Sequence, residues 1–330
     1  MIVLEQIIKS GKGGVERMKN KALKTVGIVL MILSTGFICF RLAKLDYSSV
    51  DIDLSLSTVL ILLLSLILST IAVPALGLIF ALNVGKGKDG KRLPMKKAVY
   101  VYCRANLGKY IPGNVFQYIE RNLFFSSYGI SHTDTALASV IEVASLIIGA
   151  VILSVIFGNF SVIVGVLESY TYLIPVACGL IVLVIVVIAL IFHRKKRSFG
   201  NIIKRFKERG GVKLLIFNVA AYTLILLIMG VSVVVAGSAV TTASAGAQPS
   251  GLLGAYIAAW LCGFIVIGAP GGIGVREAVF SLIYYNTPYL DSVLALSILV
   301  RVISILADVI SYIVSRLSVG KIMTENDNLQ

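Results

Sequence analysis

The sequence predicts an all-α polytopic membrane protein with six full crossings and two re-entrant Pro-Gly helical hairpins, arranged as an inverted repeat. Three observations lead there. Hydrophobic residues fill 58% of the 330 positions, mean hydropathy is +0.95, and the apolar residues gather in runs long enough to cross a bilayer. The basic residues fall in short loops between those runs. Two Pro-Gly breaks, in GKYIPGNVFQYIER (108–121) and GAPGGIGVREAVF (268–280), stand at matching places in the order of elements.

Runs able to cross lie near 26–45, 54–82, 135–157, 173–192, 214–236 and 292–315. Each holds the ~20 residues that a ~30 Å hydrocarbon core requires. Lys9, Lys12, Arg17, Lys19, Lys21 and Lys24 precede the first run and Asp46, Asp51 and Asp53 follow it, which puts the N-terminus in the cytoplasm. The loop from Lys86 to Lys97 and the stretch HRKKRSFGNIIKRFKERGGVK (193–213) are then inside as well, and Arg316 and Lys321 return the C-terminus to the inside. The first run is read as an uncleaved anchor, since Arg41 and Lys44 follow it without a small-residue cleavage pattern.

This parity holds only if 98–125 and 251–287 each enter and leave on one side. The arms of the first are about 11 residues, or ~16 Å of helix, half a membrane. The depth of the second is left open, because Leu252 to Ile267 spans ~24 Å. The expected organisation is a cytoplasmic basic N-terminus (1–25), a first membrane repeat (26–157), a second (158–319) and a cytoplasmic tail (320–330).

The two halves match in detail. Pro112-Gly113 is followed by Glu120-Arg121 and Phe124, and Pro270-Gly271 by Arg276-Glu277 and Phe280; Asp134 and Asp291 open the next crossings. Those crossings carry Glu142 in one half and Arg301 in the other. Inverted repeats with broken helices are a recurrent transporter plan. Non-helical backbone in hydrocarbon leaves polar groups unpaired at several kcal/mol each, so the two breaks are expected to face each other across protein or a wet cavity.

A charge at the membrane centre costs at least ~2.5 kcal/mol, which points to pairing or function for each intramembrane ion. Arg104 and Arg121 read equally as snorkelling side chains. Asp308, two turns after Arg301, reads as a charge that neutralises a bundle contact, and Glu142 is expected to pair with Arg301 or Arg276. Arg276 and Glu277 are the strongest functional candidates, because a helix start after a glycine-rich break brings amide N–H groups and a guanidinium to one anion. Trp260, Tyr284, Tyr285 and Tyr289 read as interface anchors.

Other classes find little support. The net charge of +14 is spread over topological loops rather than a nucleic-acid face. Cys39, Cys103, Cys178 and Cys262 stand singly, and His132 and His193 are the only histidines, so no disulfide framework, metal site or cofactor is read. GKGGVER (11–17) lacks both the preceding strand and the Lys-Ser/Thr ending of a phosphate loop, and no hydrolase motif is found.

NLGKYIPGNVFQYIERNLFFSSYGIS (106–131) and PGGIGVREAVF (270–280) resemble the two signature stretches of the lysylphosphatidylglycerol synthase transmembrane region, the flippase-like domain family, with the likeness running from about 20 to 320. The resemblance implies a stand-alone member without the soluble aminoacyltransferase domain. It implies translocation between leaflets of an anionic (glyco)phospholipid or polyprenyl-phosphate-linked lipid, in envelope lipid or polysaccharide synthesis at the plasma membrane. Two alternatives stay open: an accessory subunit serving a separate glycosyl- or aminoacyl-transferase, and a phosphatidylglycerol lysyltransferase-type activity. A homo-oligomer also stays open. The expected contacts to a phosphate-bearing headgroup are Lys109, Arg121, Gly271, Gly272, Gly274, Arg276 and Glu277, with Glu120, Glu142, Arg301 and Asp308 balancing charge and Pro112, Gly113 and Pro270 as structural breaks. The first stretch departs from the family pattern at Phe116 and Glu120-Arg121, where an aromatic followed by Gly-Arg is expected.

Overall fold

The computed structural model describes residues 55–87, 90–111, 116–158, 204–240, 248–266, 270–284 and 287–319, and every regular element among them is helical. Four helices are long and apolar enough to cross a membrane: α1 (Leu56–Asn83), α4 (His132–Phe157), α5 (Gly211–Gly237) and α8 (Leu290–Val319). They match four of the six expected crossings within a few residues. The runs at 26–45 and 173–192, like Pro112 and Gly113, lie outside the described residues. Leu60, Leu63, Leu64, Ile67 and Ile71 on α1 are exposed, as are Val151, Val155 and Ile156 on α4. Such apolar outer faces belong to a membrane-embedded protein, whose backbone groups are satisfied within each helix.

Between the long helices lie two interrupted segments. The first is α2 (Met95–Asn106), a 3₁₀ turn (Leu107–Tyr110) and α3 (Phe116–Ser127); the second is α6 (Pro249–Ile265), a 3₁₀ turn (Pro270–Gly272) and α7 (Val275–Ile283). The twelve-residue arms of the first extend only ~18 Å, well short of a hydrocarbon core, whereas the 17 residues of α6 extend ~26 Å, nearly across it. Helix α2 ends at Asn106, so its helical geometry stops six residues before Pro112. The second break contains residues only glycine adopts easily: Gly271, Gly272 and Gly274 have φ of 57°, 75° and 82°.

Polar side chains set the helix ends. Ser131 caps α4 by accepting from the Asp134 N–H at 3.1 Å. Within α1, Pro74 supplies no N–H to the carbonyl of Thr70, one turn earlier. The hydroxyl of Ser311 on α8 donates to that carbonyl at 2.9 Å. The proline thus creates an acceptor that fastens α1 to α8 inside the membrane. On the other flank of α1, Ser232 of α5 joins Ser65 at 2.9 Å and Ser69 at 2.8 Å, and these small side chains let the helices approach closely.

The long helices and α6 enclose one apolar cluster, with Leu146, Tyr222, Leu226, Ile257 and Leu296 at its centre. A second cluster, around Phe80, Tyr102 and Phe125, joins α1 to the first interrupted segment. The basic segment before α5 is pinned to α4 and α1: Arg205 and Arg209 lie 2.7 and 2.6 Å from Asp134, and Arg209 donates to the carbonyl of Asn83 at 2.7 Å. Part of the stretch read as a topology signal thereby ties the end of α1 to the start of α4.

Candidate functional site

The 3₁₀ turns of the two interrupted segments touch. The ring of Tyr110 lies so near Gly271 that a Cβ placed there would stand 3.1 Å from it. Around this meeting point is a cavity of about 1050 Å³, counted with the part open to the outside. Its wall includes Lys109, Arg121, Glu142, Arg276, Arg301 and Asp308 beside Tyr102, Tyr118, Tyr256 and Trp260. An adjoining pocket of about 290 Å³ shares Arg276 and Arg301 and adds Glu277.

Each carboxylate in this wall is engaged by a cation. Arg121 donates to Glu142 at 2.5 Å, with both side chains about 2% exposed, and Tyr102 donates its hydroxyl to the other oxygen of Glu142 at 2.6 Å. The Arg121 guanidinium lies 3.9 Å from the Tyr102 ring centroid, 5.0 Å from Phe80 and 5.3 Å from Tyr118. Aromatic faces stabilise it where water does not reach. Arg121 therefore neither snorkels nor stands free, and Glu142 pairs with Arg121 rather than with Arg301 or Arg276.

Asp308 accepts from Lys109 at 2.7 Å, from Asn106 at 2.8 Å and from the Tyr110 hydroxyl. Three donors from one turn of the first segment thus converge on α8. Glu277 accepts from Arg301 at 2.7 and 3.1 Å, and its other oxygen accepts from the Gly274 N–H at 2.7 Å. Arg301 donates further to the carbonyls of Gly271 and Gly272 at 3.0 and 3.3 Å. The start of α7, expected to offer its amides to an anion, is capped by its own Glu277. The glycines contribute carbonyl acceptors to Arg301 as well as backbone freedom.

Arg276 is different. Among the described residues no carboxylate lies within ion-pairing distance of it; its Nε, like that of Arg121, is buried without a hydrogen-bond partner, and its guanidinium stands 6.0 Å from the Trp260 ring centroid. Among the described residues the wall and its adjoining pocket carry four cations (Lys109, Arg121, Arg276, Arg301) and three carboxylates (Glu142, Glu277, Asp308). The surplus positive charge falls on Arg276.

Glu120 does not join this set. It pairs with Arg104 at 3.3 Å, the two side chains being 32% and 41% exposed, and Arg104 lies over the ring of Phe124. Trp260, expected at an interface, lines the cavity and stacks on Phe264 at 5.0 Å. Tyr284 is buried against Phe280, whereas Tyr285 lies outside the described residues. Asn106, Tyr102 and Tyr110 were not among the expected site residues, and their only signal is proximity to the first Pro-Gly break.

Comparison with family models, with curated proteins and with solved structures finds no match.

Proposed function

We propose that this chain is a lipid translocase that carries an anionic lipid headgroup through the cavity between its two interrupted segments. In this reading both segments are re-entrant hairpins, six crossings surround them as an inverted repeat, and both termini face the cytoplasm from the plasma membrane. The short arms of the first segment, the contact between the breaks and the opposite placement of acid and base in the two halves support that arrangement. In the first half the base, Arg121, sits on the returning arm and the acid, Glu142, on the next long helix. In the second half Glu277 and Arg301 exchange those places.

The observation that carries the proposal is Arg276. A guanidinium in a membrane cavity without a counter-ion costs at least ~2.5 kcal/mol, and an incoming phosphate offsets that cost with charge-assisted hydrogen bonds. Lys109, a quarter exposed, lines the same cavity with its charge held by Asp308. Arg121, sealed against Glu142 and three aromatic rings, holds the first segment in position and does not reach the headgroup. The aromatic wall suits the apolar part of an amphiphile, while the tails stay in the bilayer.

Leaflet exchange of headgroup-labelled phosphatidylglycerol and of a labelled polyprenyl phosphate, in liposomes containing the purified protein, tests this. Exchange that Arg276→Ala and Glu277→Ala each slow at least tenfold supports the proposal. Full exchange in both variants contradicts it.

A further inference from the structure

We infer that the cavity selects a singly charged headgroup, a phosphodiester, over a doubly charged phosphomonoester. This rests on the translocase reading and adds the charge class of its substrate. The charges that line the cavity, which is partly open to the outside, can be counted. Glu142, Glu277 and Asp308 are held by Arg121, Arg301 and Lys109 at 2.5 to 2.7 Å, which leaves Arg276 as the one cation of the described wall without a carboxylate, its Nε buried and unpartnered.

Among the described residues that line the cavity and its adjoining pocket, the surplus is one positive charge. A headgroup with one negative charge brings the cavity to neutrality. A phosphomonoester, with a second ionisation near pH 6, leaves one negative charge uncompensated among walls of low dielectric, where such a charge is heavily penalised. Recruiting Lys109 or Arg301 as a second counter-ion would strip Asp308 or Glu277 of its partner and move the unpaired charge elsewhere. Discrimination thus comes from the three satisfied ion pairs as much as from Arg276.

Trp260 is the only tryptophan of the chain and sits beside Arg276, so its emission reports on occupancy. The experiment titrates the full chain in detergent micelles at pH 8 with phosphatidylglycerol, phosphatidic acid and phosphatidylcholine. The expected result is a saturable change in emission, with half-saturation by phosphatidylglycerol at least tenfold below that by phosphatidic acid and no saturation by phosphatidylcholine. Asp308→Asn raises the surplus to two and is expected to shift the preference at least tenfold toward phosphatidic acid. Glu142→Gln makes the same change at another place, which protects the test against one variant that does not fold.

Equal or reversed preference in the wild-type chain, or an unchanged preference in a folded variant, overturns the inference while leaving the translocase reading intact. Absence of any response to anionic lipid, in protein that melts cooperatively, overturns both. A soluble glycerophosphodiester that saturates as well as the lipid does supports the single-charge rule and contradicts the lipid reading.

Discussion

Lys109 and Asp308, 199 positions apart in the sequence, meet with Nζ 2.7 Å from Oδ2. Their contact ties the break of the first interrupted segment to the last long helix. Asp308 is about 2% exposed and also accepts from Asn106 and Tyr110. Removing the carboxylate strands one cation and two neutral donors. Asp308→Ala is therefore expected to cost about 3–5 kcal/mol, read as a lower melting temperature in detergent. Asp308→Asn keeps an acceptor and is expected to cost less than half as much.

Arg121 depends on its planar group as well as its charge. It pairs with Glu142 while lying against three aromatic rings, an arrangement that an ammonium cannot reproduce. Arg121→Lys is expected to destabilise the protein by about 1–2 kcal/mol despite the retained charge. A double-mutant cycle with Glu142→Gln should show strong coupling between the two residues, and additive effects would contradict the described pairing.

The Pro74–Ser311 relationship makes a conditional prediction. Ser311→Ala removes the donor to the Thr70 carbonyl and should cost about 0.6 kcal/mol, the average for such bonds in membranes. In a Pro74→Ala background the restored N–H fills that carbonyl, so the same serine substitution should have almost no effect. Thermal melts of the four proteins compare the two cases.

Gly263 lets Arg276 lie where it does. A Cβ there would stand 2.8 Å from Arg276 Cγ and 3.2 Å from Gly272 Cα, so one added methyl group pushes the guanidinium out of place. Gly263→Ala is expected to slow lipid exchange at least tenfold, with an overpacking cost of about 1–3 kcal/mol in stability. Exchange at the wild-type rate would show that the position of Arg276 is unimportant.

Hydropathy made the long helices legible, because a bilayer imposes a length and a composition that a single sequence displays. The runs at 54–82, 135–157, 214–236 and 292–315 became α1, α4, α5 and α8 with small shifts at their ends. The Pro-Gly motifs also pointed to the breaks, although only the second is fully enough described to show its glycines in left-handed geometry. Pairing was far less legible. Glu142 had several arginines within topological reach, and nothing in one sequence says which helix face Tyr102 and Phe80 present to Arg121. Counting opposite charges on adjacent elements would have suggested Arg121, 21 residues before Glu142. No local signal announces Lys109–Asp308, and Trp260 looked like an interface residue because its place in the wall depends on α7 folding back beside α6.

In the proposed translocase, Arg276 supplies the charge that receives the headgroup. The most direct measurement is the initial rate of phosphatidylglycerol exchange in matched liposomes containing wild-type protein, Arg276→Lys or Arg276→Gln. Arg276→Lys is expected to retain measurable exchange, and Arg276→Gln to fall at least tenfold below it while melting at or above the wild-type temperature, because an unpaired charge has been removed from the cavity wall. Equal exchange by wild-type and Arg276→Gln protein would contradict it.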